Sequence, residues 1–313
     1  MKLRYLADLR SLLFISIYFG LVIYQWLWVP GWNVLGPLLL AATCVFSFFC
    51  AVITHNSIHS PVFQKRWANR VLQVVLSLSY GSTVSAFVPG HNLSHHKHTQ
   101  SERDVMRTTK VRHSWNLLNM VEFAPRVAVA IMKSDALYSS AMKHRHRAWF
   151  RQYRIESFVV LAVTVGLFIL DWKKALLFWV VPHLYAAWGI ISINYLQHDG
   201  CDQNHRYNHS RNFVGKFVNF WTFNNGFHGI HHETPGLHWS LLPAAHAVRM
   251  APYIDPRLDQ KSLFVFIVKT FVWPGRRVTF DGRPVVLPAP VSDLPWVPTP
   301  EETAEDLGAV VLG

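Results

Sequence analysis

Charge is scarce in this chain. Only 15% of its 313 residues are Asp, Glu, Lys or Arg, against 51% apolar. That is a poor coat for a soluble domain, and the balance points to a bilayer. Acidic residues are scarcer still, 18 against 30 Lys and Arg, leaving a net charge of +12. An excess of that sign could meet nucleic acid, an anionic lipid surface or an acidic protein; the apolar content selects the lipid surface, and no nucleic-acid partner is expected. Cysteine is almost absent. Cys44, Cys50 and Cys201 stand at neither disulfide-framework nor metal-ligand spacing, so they read as small buried apolar residues. No His-Glu-x-x-His metalloprotease pattern is present, and no internal repeat.

What the chain does have is long uncharged runs. Ser11–Val29 and Val34–Thr54 carry no charge and are joined only by "PGWN". At about 1.5 Å per residue each can cross about 30 Å of hydrocarbon. A cleavable signal peptide is disfavoured for the first run, which is long, ends in Trp26 and Trp28, and lacks a small-residue cleavage site. A second pair, 156–170 and 174–193, is joined by "DWKK", with Pro182 and His183 interrupting the last run. The expectation is an all-α integral membrane protein with four transmembrane helices at about 11–29, 34–54, 156–170 and 174–193. Residues 91–154 hold 12 Lys or Arg against 4 Asp or Glu, and the first ten residues hold three more basic side chains. By the positive-inside rule both stretches, and with four spans both termini, are cytoplasmic. If 71–90 also crossed, a bilayer would separate His55 and His59 from His91–His96; it is therefore read as re-entrant or interfacial. Residues 1–273 are expected to form one membrane domain. Residues 274–313, Pro-rich and then acidic ("PTPEETAED"), should form an extended arm that ends disordered.

Eighteen histidines are present, and nine are grouped: His55 and His59 in "HNSIH", His91, His95 and His96 in "HNLSHH", His198 in "NYLQH", and His228, His231 and His232 in "HGIHH". Positions i and i+3 or i+4 share a helix face, whereas adjacent residues diverge. Spaced partners could thus share one metal ion and doubled histidines reach two. Nine imidazoles exceed what one ion can use, so a pair of ions is the economical reading, and iron with open coordination positions suits the surplus of nitrogen better than zinc. His113, His144, His146, His205, His238 and His246 read as ordinary polar residues. His98 is outside the primary set, and His183, inside a span, either has a function or hydrogen-bonds a neighbouring helix. A histidine-rich metal transporter is the rival from another class. Against it, the spans carry almost no ligands.

"HNSIH", "HNLSHH" and "HGIHH" resemble the three histidine boxes of the membrane fatty acid desaturase and hydroxylase superfamily, over roughly residues 34–250. "NYLQHDG" is similar to an Asn-Tyr-x-x-His element of the alkane monooxygenase branch, with Asp199 where Tyr is usual there. The resemblance implies a cytosolic helical cap over the four spans and two iron ions held by the nine grouped histidines, with Asn194 as a water-mediated or outer contact. It also implies dioxygen as co-substrate and a lipid or fatty acyl substrate. No His-Pro-Gly-Gly haem signature and no cysteine array is present, so electrons would come from a separate donor of the ferredoxin or cytochrome b5 type. Carboxylates near the clusters, Asp104, Asp199, Asp202 and Glu233, would orient the imidazoles or else be ordinary solvated acids. Desaturation leads; hydroxylation, carotenoid oxygenation and alkene-forming decarboxylation are the alternatives within the same chemistry.

Overall fold

The computed structural model describes residues 2–28, 34–292 and 299. The chain forms two compact units. One is built from Met1–Val88 and Ser139–Ile190, with a remaining piece, Thr303–Gly313, outside the described residues; the other is built from Pro89–Tyr138 and Ile191–Glu302. The expected turn at 30–33 and the acidic stretch at 301–306 also lie outside the described residues.

The first unit contains the long apolar helices. Helix α1 (Asp8–Leu27) and α2 (Leu35–His59) are each long and apolar enough to cross a membrane. They meet through Phe14, whose ring lies 5.4 Å from Phe46 and 5.5 Å from Phe49, and through a hydrogen bond of 2.6 Å from Gln25 Nε2 to Thr43 Oγ1. Helix α2 continues past the expected end at Thr54 and carries His55 and His59 in its last turns.

The third long apolar element, Arg147–His198, has 52 residues. Straight, it would extend about 78 Å, far beyond a hydrocarbon core of about 30 Å. It is not straight. Asp171 leaves helical geometry (φ −161°, ψ 99°) and its carboxylate accepts from the amides of Lys173 and Lys174, both at 3.1 Å, capping a new helix start. Trp179 Nε1 then reaches back to Thr164 Oγ1 at 2.9 Å, a contact that only a hairpin allows. The expected runs 156–170 and 174–193 are the two arms of this hairpin: α6 (Arg147–Ala175) with its kink, and a π-helical turn (Leu176–Val180) leading into α7 (Val181–His198). Pro182 lacks an amide hydrogen, and the ladder widens to π geometry in the turn immediately before it.

Residues 71–90 fall on α3 (Arg66–Tyr80) and the start of α4 (Val84–His98), which meet at an 87° bend, the geometry of a broken span or a re-entrant loop. Gly81 makes the bend possible. Its φ is 79°, and a Cβ there would lie 2.4 Å from the His183 ring. The carboxylate of Glu156, fully buried, receives Ser85 N at 2.9 Å, Ser85 Oγ at 3.1 Å and Gln152 Nε2 at 2.9 Å, which anchors the chain just past the turn.

The second unit has shorter elements: α5 (Asn116–Arg145, shared with the first unit), α8 (Lys216–Trp221), α9 (His228–Glu233), α10 (Leu242–Arg249) and α11 (Leu263–Ile267). Strands β1 (Asn212–Phe213) and β2 (Asp259–Gln260) pair in parallel. Its core gathers Val105, Val111, Phe123, Tyr195, Phe213 and Phe271. The arm, expected to run extended, instead doubles back at 279–283, where Thr279 N donates to Arg283 O at 2.8 Å and Val278 bridges Pro284 in antiparallel sense, and it is firmly tied down. Asn116 N donates to Gly275 O at 2.7 Å, and Arg277 reaches Thr108 O at 3.0 Å, Val111 O at 2.6 Å and both Asp199 oxygens.

Candidate metal centre

Two groups of imidazoles form in the second unit. His95, His198, His228 and His232 bring one ring nitrogen each within 4.8 Å of one another, and His91, His96 and His231 do the same. Within the first group His228 Nε2 lies 2.8 Å from His198 Nε2 and 3.1 Å from His232 Nε2. Within the second, His96 Nε2 lies 3.0 Å from His91 Nε2 and 3.2 Å from His231 Nε2. In the first unit His55 and His59 stand one turn apart near the end of α2, rings 5.6 Å apart.

The sorting of histidines follows helix geometry. On α9 the first and last members, His228 and His232, are four residues apart and share a group, as an α-helix dictates. On α4 the same spacing, His91 with His95, does not share. Val88–His95 is π-helical, so residues five apart align, and His91 pairs with His96 instead. Each doubled histidine does diverge as expected, with His95 and His96 in different groups and His231 and His232 likewise. Each box thus places its first and last histidine in one group and lends its middle one, His95 or His231, to the other.

The donor set fits a metal. His95 Nδ1 is 2.9 Å from Asp104 Oδ2, both side chains fully buried, and His198 Nδ1 is 3.2 Å from His209 O. In both rings the proton is committed to Nδ1, and Nε2 presents a lone pair. His95 Nε2 is buried without a hydrogen-bond partner among the described residues. Burial, followed by neighbouring imidazoles, pushes His232 well below the usual histidine range. Imidazoles with no carboxylate among them suit a transition metal.

Burial raises the Asp104 carboxyl, but His95 and the amides of Gln100 and Met106 outweigh it and hold the group below its ordinary value. Of the four acids expected to orient imidazoles, Asp104 makes such a contact. Asp199 is instead bound by Arg277, at 3.0 and 3.1 Å from Nε. Glu233 pairs with Arg206 and Arg249, each at 3.2 Å, and Asp202 accepts from Asn204 N in its own turn at 3.0 Å. A partner with full charge outcompetes a neutral imidazole for a carboxylate. Asn194 donates to Met106 O at 3.2 Å, a loop tie. His98 belongs to neither group. His183 hydrogen-bonds Tyr18 OH at 2.9 Å, the helix-linking role.

Three contributors escaped the sequence. His209 orients His198 with its carbonyl, and its own ring, pushed down to about 4 mainly by burial, lies 5.6 Å from His232. Arg211, buried, donates from Nη1 to Leu196 O at 2.7 Å and Asp199 O at 3.1 Å, closing the end of α7 where His198 sits. Arg277 lies 78 residues from Asp199. None carries a local motif.

Long apolar helices and two groups of imidazoles compatible with metal ions are the features of a helical membrane protein with a candidate metal site. A profile of the fatty acid desaturase family matches residues 28–261, and the chain belongs to that family. No curated protein matches it. Membership carries oxidoreductase activity of the desaturase and hydroxylase type, with a membrane location and a lipid substrate.

Proposed function

We propose that the protein is a membrane-bound, O2-dependent di-iron desaturase that introduces a C=C bond into a fatty acyl chain. The observation that carries this reading is the double imidazole cluster. One iron would be held by His95, His198, His228 and His232 and the other by His91, His96 and His231; His55 and His59, whose i, i+4 spacing on α2 presents both rings in one direction, are the further ligands this reading assigns. An unactivated methylene offers no acidic proton and no leaving group, so the oxidising power for C–H cleavage comes from bound iron with dioxygen. The balance is CH2–CH2 + O2 + 2 e− + 2 H+ giving CH=CH + 2 H2O, with the electrons from a separate donor of the ferredoxin or cytochrome b5 type. The chain's own residues hold and shield. Asp104 fixes the tautomer of His95, the His209 carbonyl that of His198, and Arg211 and the Asp199–Arg277 pair hold the end of α7.

The topology that accompanies this reading is four crossings, by α1, α2 and the two arms bent at Asp171, with α3 and α4 re-entrant, both termini cytoplasmic and residues 1–273 working as one domain. Hydroxylation and alkene-forming decarboxylation use the same ligands. They differ in where the alkyl chain is held.

The test is reconstitution with an electron donor, isotope-labelled lipids and mass spectrometry. Loss of two hydrogens supports desaturation; gain of one oxygen, or loss of the carboxyl carbon, replaces it with one of its relatives. Purified protein should contain two irons, and His96→Ala should lose iron and turnover together. Full activity in that variant removes the ligand assignment.

A further inference from the structure

In the first unit the N-terminal ends of α3 and α6 hold six cations, Lys65, Arg66, Arg70, Arg147, Arg151 and Arg154, with no Asp or Glu over 60–70 or 143–155. Five are exposed and Arg70 is half-exposed. None of the six has an ion-pair partner among the described residues, whereas Arg206, Arg249, Arg257 and Arg283 of the second unit are all paired. The two helix ends meet here. Gln152 Nε2, buried on α6, donates to Arg70 O at 3.1 Å and to Glu156 Oε1 at 2.9 Å. On α6 the inward face is Trp149, Gln152 and Glu156, all buried. The opposite face reads Arg147, Arg151 and Arg154, then Phe158, Leu161 and Val165, every one exposed and each three or four residues from the last. One outward stripe thus changes from guanidinium to bare hydrocarbon within a turn, about 6 Å. Helix α3 repeats the arrangement, with Trp67 and Val71 exposed beside Arg66 and Arg70.

We propose that this edge seats the headgroups of anionic phospholipid, and that the bound lipid braces the junction of α3 with α6. An apolar stripe facing outward on a long apolar helix of a membrane protein meets acyl chains, so the arginines one turn away stand at headgroup depth. Trp67 suits the same depth. A phospholipid meets both parts of the stripe at once, phosphate on the guanidinium groups and acyl chain on Phe158 and Leu161. An acidic protein face would meet the cations alone. Six cations without carboxylates also repel one another, and an anion between them relieves that repulsion. The gain reaches the re-entrant turn. Gln152 joins Arg70 to Glu156, and the Glu156 carboxylate receives Ser85 N just past the bend at Gly81. A lipid that steadies the ends of α3 and α6 therefore steadies that bend. The proposal needs the membrane location and is independent of the reaction catalysed.

The experiment places full-length, iron-loaded protein in phosphatidylcholine vesicles containing spin-labelled phosphatidylglycerol or spin-labelled phosphatidylcholine, and paramagnetic resonance measures the fraction of each label held at the protein. Phosphatidylglycerol should be preferred, and the preference should shrink as salt rises. Arg147→Gln with Arg151→Gln and Arg154→Gln should cut it about fivefold, and so should Arg66→Gln with Arg70→Gln, with iron content unchanged in both. The two sets lie on separate helices, so the second decides if the first fails to fold. Arg257→Gln with Arg283→Gln, which removes two exposed charges from the second unit, should leave the preference as it was. No preference in the unsubstituted protein overturns the proposal, as does a preference that survives both sets or falls equally in the second-unit variant. Substitutions that spare the lipid preference but weaken reduction by a two-iron ferredoxin assign the patch to the electron donor and overturn it too. A protein that selects phosphatidylglycerol yet oxidises no lipid faults the proposed function alone.

Discussion

The two units tie down their buried polar groups by different means. In the first, neutral pairs join long helices, Tyr18 with His183, Gln25 with Thr43 and Ser47 with the Ser79 carbonyl at 2.8 Å, and the buried Glu156 carboxylate is met by neutral donors from Ser85 and Gln152. In the second, full charges hold short elements and loops in place: Asp104 on His95, Arg277 on Asp199, Arg211 on the end of α7. Long helices satisfy their own backbone and need few ties. Irregular chain around a metal centre does not, and its exposed carbonyls need strong donors.

The contrast breaks most sharply at Arg277. Replacing it with Met leaves Asp199 buried without its partner, which should cost about 3–5 kcal/mol, lower the melting temperature and deplete iron. A double variant with Asp199→Asn should lose less than the two single effects summed. Next comes Asp104→Asn, which should lower iron affinity about 10–100-fold while the helices of the first unit stay intact by circular dichroism. Gly81→Ala probes the first unit at a tight point. Positive φ and overlap with His183 should cost about 1–3 kcal/mol, partly restored by His183→Ala. Tyr18→Phe should cost least, about 0.6 kcal/mol, in a denaturation series. A Tyr18 effect as large as that of Arg277 would erase the distinction between the units.

The same contrast sets what the sequence could tell. Apolar run length located α1, α2 and both arms of the hairpin, because crossing length is a local property. Histidine spacing located both clusters. Spaced partners could share an ion, but His91 and His95 stand in different groups, because α4 winds as a π-helix there and brings His91 beside His96. Proximity in sequence likewise suggested Asp199 and Glu233 as partners for imidazoles, while the groups that claimed them, Arg277, Arg206 and Arg249, stand 78, 27 and 16 positions away along the chain. Charge pairing at that range follows from the tertiary fold and leaves no local pattern.

The exchange of middle histidines between α4 and α9 has a consequence for loading. Because each helix contributes to both imidazole groups, under the proposed di-iron reading the first ion to bind would draw the two helices together and preform the seat of the second. Uptake should then be all or none, and protein with half the iron should prove to be a mixture of empty and full molecules.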